Sequence, residues 1–241
     1  MQHRAAHLLR GFAIMRRSVG YLLLFAAVAG AHCNNYGLLD KLENPGGSAN
    51  QQRLLAFVAS VASTANFNTY NAGIFVGCAG FTGQGRADCA CQVMASNAGL
   101  TMPPSGKYIS WTSIVASDMR CRIQGIYNTV GCSIPSGGPL WLTTGGANVA
   151  NGYAGLFSGN LMGTLNLTET KSNPPSTDVW TGTNADGTIA GTGATATCTD
   201  WTGAGNGISG STLSANSAWT NNSGAQSCSS ASLPIYCIAQ P

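Results

Sequence analysis

Residues 86–100, RADCACQVMASNAGL, hold the chain's clearest helix and two of its nine cysteines. From Arg86 to Ala98 the apolar side chains Ala87, Cys91, Met94, Ala95 and Ala98 recur at helical spacing, and Gly99 stands at the position where glycine closes helices. Cys91 lies on that stripe. Cys89, two residues earlier and roughly 200° round the helix, faces elsewhere. The two sulfurs therefore take different partners, Cys91 toward the core and Cys89 toward a neighbouring loop.

Upstream, the main domain is expected to start near Ala72, with GIFVG (73–77) giving a short strand from Ile74 to Val76. Downstream of Pro103 helix signals vanish. Short β-type runs, Lys107–Trp111, Leu140–Thr143, Val179–Thr181 and Ile235–Ile238, are separated by long Gly/Ser/Asn loops. The class is α+β, with short strands and long loops. Trp-Thr followed by Gly or Asn occurs at Trp180, Trp201 and Trp219, without other shared pattern, so each is read as a tryptophan at a strand end, buried before a turn. Before the domain, 51–65 places Leu54, Leu55, Phe57, Val58, Val61 and Ala62 at helical spacing, which predicts a short helical connector over 51–71. Residues 33–50 are polar and run into NPGGSANQQ (44–52), where Pro45, Gly46 and Gly47 stop regular structure, as in a tether.

The chain's start reads as a targeting signal, 1–32. Arg16 and Arg17 precede an apolar run from Val19 to Ala31, the length of a signal-peptide core and too short to span a bilayer. All three histidines, His3, His7 and His32, lie before Cys33. From Cys33 onward seven Lys and Arg face eight Asp and Glu, a net charge of −1. A nucleic-acid binder needs a basic surface, so that class drops out. The 209 residues from Cys33 suffice for one domain with a sizeable core.

Nine cysteines are odd for an exported chain, and parity singles out Cys33. Cys78, Cys89, Cys91, Cys121, Cys132, Cys198, Cys228 and Cys237 can then pair fully, as an oxidising compartment favours. Metal binding fits less well: Cys-Ala-Cys has the wrong spacing, no Cys-x-x-Cys occurs, and no histidine follows Cys33. VAGAHCNN resembles the lipobox at which bacterial lipoproteins are cut and acylated on cysteine, with His32 and Gly30 departing from its usual residues. The alternative cut, after Ala29-Gly30-Ala31, frees a secreted soluble protein with an unpaired Cys33.

GIFVG, RADCACQVMASNAGL, GKYISW, NLTET with DVWTGTNADGT, CTDW and the closing LPIYCIAQ, in that order, resemble the bacterial domain of unknown function DUF1554. That family is common in spirochaete lipoproteins and related to the endostatin-like branch of the C-type lectin-like fold. The resemblance covers 72–241, and CNNYGLLDKLENPGG resembles the start of such a lipoprotein. It implies first and last strands side by side, two helices, long loops over a small second sheet, and Trp180-Thr181-Gly182 as the core signature. It also implies the disulfides Cys91–Cys237 and Cys198–Cys228. Proximity pairs the remaining four as Cys78–Cys89 and Cys121–Cys132.

For chemistry the sequence offers little. The Glu-Pro-Asn, Gln-Pro-Asp and Trp-Asn-Asp triplets of calcium-dependent lectins are absent, and TNADGT (183–188), with Asn184 and Asp186, reads as a solvated turn lacking a distal acid. Without histidine after Cys33, Ser-His and Cys-His activation are excluded there. Asp178, Asp186 and Asp200 read as turn formers and caps. The expectation is therefore no enzyme, no metal and no cofactor. The chain reads as an exported lipoprotein of the outer membrane or cell surface, held by the Cys33 lipid. Loops within 140–225 would contact a host extracellular-matrix protein or glycan, with Trp201 and Trp219 as candidate contacts. The alternative is an envelope structural lipoprotein without a specific ligand.

Overall fold

A computed structural model describes residues 52–60, 63–64, 67, 76–191, 195–222, 224–229 and 231–241. Cys33, the signal and the tether lie outside the described residues. The compact unit runs Gln51–Pro241.

Its main sheet has five strands in the order β3-β10-β1-β4-β5. These are β1 (Arg53–Val58), β3 (Tyr108–Ser110), β4 (Leu140–Thr143), β5 (Asn148–Asn151) and β10 (Tyr236–Ala239). β1 runs antiparallel to β10, with Ala56 opposite Ile238, and parallel to β4, with Arg53 opposite Leu140. β10 pairs on its other side with β3, Cys237 opposite Ser110.

The central strand corrects the sequence reading. The helical connector expected over 51–71 does not hold at Arg53–Val58: RLLAFV is β1, in the middle of the sheet. With neighbours on both edges and cover on both faces, Leu54, Ala56, Phe57 and Val58 are all buried, so the run does not alternate. A short apolar run covered on both faces looks the same as a helix stripe by periodicity alone. The domain accordingly begins about twenty residues before Ala72. The strand expected at Ile74–Val76 is not the partner of the last strand either. Val76 opens a 3-10 turn to Cys78, and Ile74 and Phe75 lie outside the described residues.

Helix α1 (Gly83–Asn97) buries Ala87, Cys91, Met94 and Ala95, the stripe read from the sequence. It closes through Gly99, which takes φ 65°. The Leu100 N–H donates back to the Ala95 carbonyl at 2.9 Å, so the last turn's carbonyls are satisfied. Three single turns follow where no helix was expected: α2 (Met119–Arg122), α3 (Gly152–Leu156) and α4 (Cys198–Trp201). Four or five residues are too few to show a 3.6-residue period, so nothing in the sequence marks them. α2 is capped locally by Asp118, whose carboxylate accepts from the Cys121 N–H at 3.0 Å.

A second, antiparallel sheet has the order β6-β7-β8, from Asp178–Trp180, Asn206–Ser211 and Ala225–Ser227. A two-stranded piece joins β2 (Ser63–Thr64) to β9 (Ser232–Leu233). β7 can lie close to its neighbours because it carries Gly210. A Cβ there would stand 2.0 Å from the Trp219 carbonyl oxygen.

The core is aromatic. Trp111, Trp141, Trp180, Trp201 and Trp219 are all 0% exposed. Trp111 packs on Trp219 at 4.7 Å between ring centroids and on Phe157 at 5.5 Å, while Trp219 continues to Tyr236 at 5.5 Å. The Trp111, Trp141 and Trp201 ring N–H groups donate to Thr220, the Ala239 carbonyl and the Ser113 carbonyl. Four disulfides close the chain: Cys78–Cys89, Cys91–Cys237, Cys121–Cys132 and Cys198–Cys228. They are the pairs named from the resemblance and from proximity. Cys91 and Cys89 do leave opposite sides of α1, one for β10 and one for the 3-10 turn.

Buried phenols give this core an alkaline limit. Burial pushes Tyr108 up from 10.0 to about 12. It pushes Tyr236 well above the ordinary value too, with the Asp178 charge adding to it. A pKa raised on folding contributes stability that is whole below pH 10 and is lost as pH rises toward 12. Unfolding free energy measured from pH 8 to 11 should therefore fall beyond pH 10, and less steeply in Tyr108→Phe. An equal slope in that variant would show that Tyr108 is not involved.

Candidate functional site

Beyond the Tyr236 end of the main sheet, three loops are stitched together by buried hydroxyls. The Thr181 hydroxyl donates to the Thr220 carbonyl at 2.5 Å, and that of Thr220 to the Thr183 carbonyl at 2.9 Å. The Thr183 hydroxyl reaches Ser113 Oγ at 2.9 Å, and the Asn221 amide donates to Asn184 Oδ1 at 2.9 Å. Residues 111–117, 181–188 and 217–222 thus form one rigid loop face. Every donor in these bonds is a short Thr or Asn side chain.

On this face 183–188 is a turn, as read. Asp186 Oδ1 accepts from the Thr188 N–H and hydroxyl at 3.0 and 2.6 Å, and Oδ2 meets the Arg120 guanidinium at 2.7 Å. Partial burial pushes this carboxyl up, but the Thr188 hydrogen bonds and then the Arg120 charge outweigh it and leave it below its ordinary value. Its oxygens are committed to the fold. Asp200 is likewise committed, accepting from the Val115 N–H at 3.0 Å and the Thr197 hydroxyl at 3.2 Å. Asp178 lies in β6, opposite Ser211. The three acids read from the sequence hold separate structural positions. Among the described residues no group of three His, Cys, Asp or Glu could hold a metal ion.

The unusual backbone is α4. Cys198, Thr199, Asp200 and Trp201 have φ of 54°, 56°, 54° and 64°, four successive non-glycine residues in the left-handed region. The clash of Cβ with the carbonyl makes such a turn cost about 1–2 kcal/mol per residue. It is held at both ends and from below. Cys198 is bridged to Cys228, Trp201 is buried and donates to the Ser113 carbonyl at 3.0 Å, and Asp200 ties the turn to the Val115 loop. The start of α1 closes on its other side, where a Cβ on Gly83 would stand 2.9 Å from the Asp200 carbonyl oxygen. Thr199 and Thr202 remain exposed on the turn. Its flanks carry Phe81, 50% exposed, and Val115, 53% exposed.

Trp201 and Trp219, the contact candidates from sequence, do not stand on this surface. Trp201 stacks on Phe67 at 5.3 Å, and Trp219 lies between Trp111 and Tyr236. Both are fully buried, so they shape the loops from beneath and cannot touch a ligand. A large apolar ring in a domain with few other large side chains goes to the core first. Phe81 and Val115 were missed. Their only sequence signal is one or two large apolar residues within a small-residue loop, AGFTG and SIVAS.

Arg122, by contrast, is buried completely and ion-paired to Asp88, which makes it part of the scaffold. No helix among the described residues is long and apolar enough to cross a membrane. No protein-family model matches the chain, and no curated protein matches it.

Proposed function

We propose that the protein is a lipoprotein acylated on Cys33, exported to the outer membrane or cell surface, whose domain binds an extracellular ligand without catalysis. The ligand class is a host matrix protein or a glycan. The domain is read as C-type lectin-like, of the DUF1554 kind. Supporting that reading, a chain-start strand lies beside the last one, a disulfide ties the long helix to the last strand, and Trp180-Thr181-Gly182 leads from the second sheet into the loops. Four disulfides favour an oxidising compartment.

The left-handed turn Cys198–Trp201 carries the binding reading. A backbone held in a costly conformation by a disulfide, a tryptophan and a carboxylate is pre-organised, and such segments concentrate at ligand clamps. Phe81 and Val115 would be its apolar anchors, replacing Trp201 and Trp219 in that role. Screening the purified protein against matrix proteins and glycans, then comparing Phe81→Ser/Val115→Ser, tests this. Affinity should drop at least about tenfold, the scale of a central contact, with the melting temperature nearly unchanged because both side chains are exposed. Unchanged affinity would remove this face as the site. Failure of every screen would replace the binding reading with a structural role in the envelope.

A further inference from the structure

The end of the main sheet opposite the loop face has its own character. Extending the β1–β10 register places Arg53 opposite Pro241, so the chain enters the domain where the last strand ends. Two loops cover that end. Residues 100–107 are fixed by Ser105, whose hydroxyl donates to the Gln240 carbonyl at 2.6 Å, and by the Gln240 N–H donating to the Lys107 carbonyl at 2.9 Å. The disulfide-closed loop Cys121–Cys132 is fixed by Gln240 Nε2 donating to the Arg122 carbonyl at 2.5 Å and by the Tyr127 hydroxyl reaching Gln240 Oε1 at 3.3 Å.

What these loops expose is amphipathic. Met102, Ile126 and Tyr127 are 40%, 43% and 38% exposed. Arg53 and Lys107 are exposed beside them, and the Lys107 ammonium sits 5.3 Å from the Tyr127 ring centroid. Among the described residues, the side-chain acids of this region, Asp88 and Asp118, are engaged elsewhere. Asp88 is paired with Arg122, and Asp118, 2% exposed, accepts from the Cys121 and Gly131 N–H groups. A tyrosine, two aliphatic side chains and two long cations are the set that sits at a lipid headgroup boundary, rings and stems inward and charges at the phosphates.

We propose that this end is a lipid-facing foot, which lies on the bilayer surface and turns the Cys198–Trp201 loop face away from it. The inference rests on acylation of Cys33. From Cys33 to Arg53 is twenty residues, a reach of about 70 Å when extended, so the tether joins the domain at this end and keeps it near the bilayer without fixing which end faces it. The lipid supplies the affinity. The foot, working at the high effective concentration a short tether creates, sets the orientation.

The test uses the full acylated chain, reconstituted into vesicles of phosphatidylcholine and phosphatidylglycerol (7:3) containing brominated phosphatidylcholine. All five native tryptophans are buried, so wild-type emission is the background. Tyr127→Trp places a reporter on the foot and Val115→Trp one on the opposite loop face. Emission of Tyr127→Trp should be quenched at least twofold more than that of Val115→Trp. Equal quenching overturns the orientation. Concentration-dependent change of Tyr127→Trp emission, insensitive to brominated lipid, assigns the foot to a second copy of the chain and also overturns it. Mass spectrometry of the Cys33 peptide separates the two claims. If no acyl chain is found, the anchor has failed; quenching of Tyr127→Trp that persists in that protein keeps the foot, and its absence rejects it.

Discussion

Replacing Cys91 and Cys237 together by alanine should lower the free energy of unfolding by about 5 kcal/mol on the chain-entropy estimate, before any strain in the native bridge. The two residues are 146 apart in sequence, so the bridge restrains most of the unfolded domain, though not the segment before α1. It also joins the middle of α1 to β10, the last strand and a neighbour of the central β1, and both cysteines are fully buried. Replacing Cys78 and Cys89, 11 apart, should cost about 3 kcal/mol by the same estimate. Guanidinium unfolding of the two double variants, compared at equal denaturant slope, measures the difference of about 2 kcal/mol that loop length alone creates. Equal losses would show that native packing, not the restraint on the unfolded chain, sets the value of these bridges.

Arg122→Met should cost about 3–5 kcal/mol, the penalty for breaking a buried ion pair from one side. The Arg122 guanidinium is wholly buried and donates to the Ser110 and Thr112 carbonyls at 2.9 and 2.5 Å as well as to Asp88. Asp88 Oδ1 in turn accepts from the Ser110 N–H and hydroxyl at 2.9 and 2.8 Å. Removing the cation leaves two carbonyls and a carboxylate facing a thioether. Asp88→Asn should cost less, about 2 kcal/mol, because the amide keeps one acceptor and the side chain is 24% exposed. Chemical unfolding of both single variants and of Arg122→Met/Asp88→Asn completes the cycle. The double variant should lose less than the two singles combined. Strict additivity would mean that the pair does not act as a unit.

The sequence alone placed α1, its buried stripe and its glycine stop, because fifteen residues are long enough for a helical period to show. Strands β3, β4, β6 and β10 were legible within a residue or two from short β-branched and aromatic runs between glycine-rich loops. Opposite directions of Cys89 and Cys91 followed from helix geometry, and the bridges that joined them to Cys78 and Cys237 agree with it. The loss of histidine after Cys33 is likewise a fact of the sequence, and it limits the chemistry whatever the fold.

What tertiary structure decided is where non-local pairing and burial compete. RLLAFV carries no local mark of a strand, and it becomes one because β10, 180 residues later, and β4 supply its edges. Trp201 and Trp219 could be read from the sequence both as buried rings and as loop contacts, and the core claims them, since large aromatic surface gains most by leaving water. The left-handed turn at Cys198–Trp201 is invisible in CTDW, because no propensity favours four such residues. The Cys198–Cys228 bridge, the buried Trp201 ring and the Asp200 hydrogen bonds to Val115 and Thr197 help hold it there.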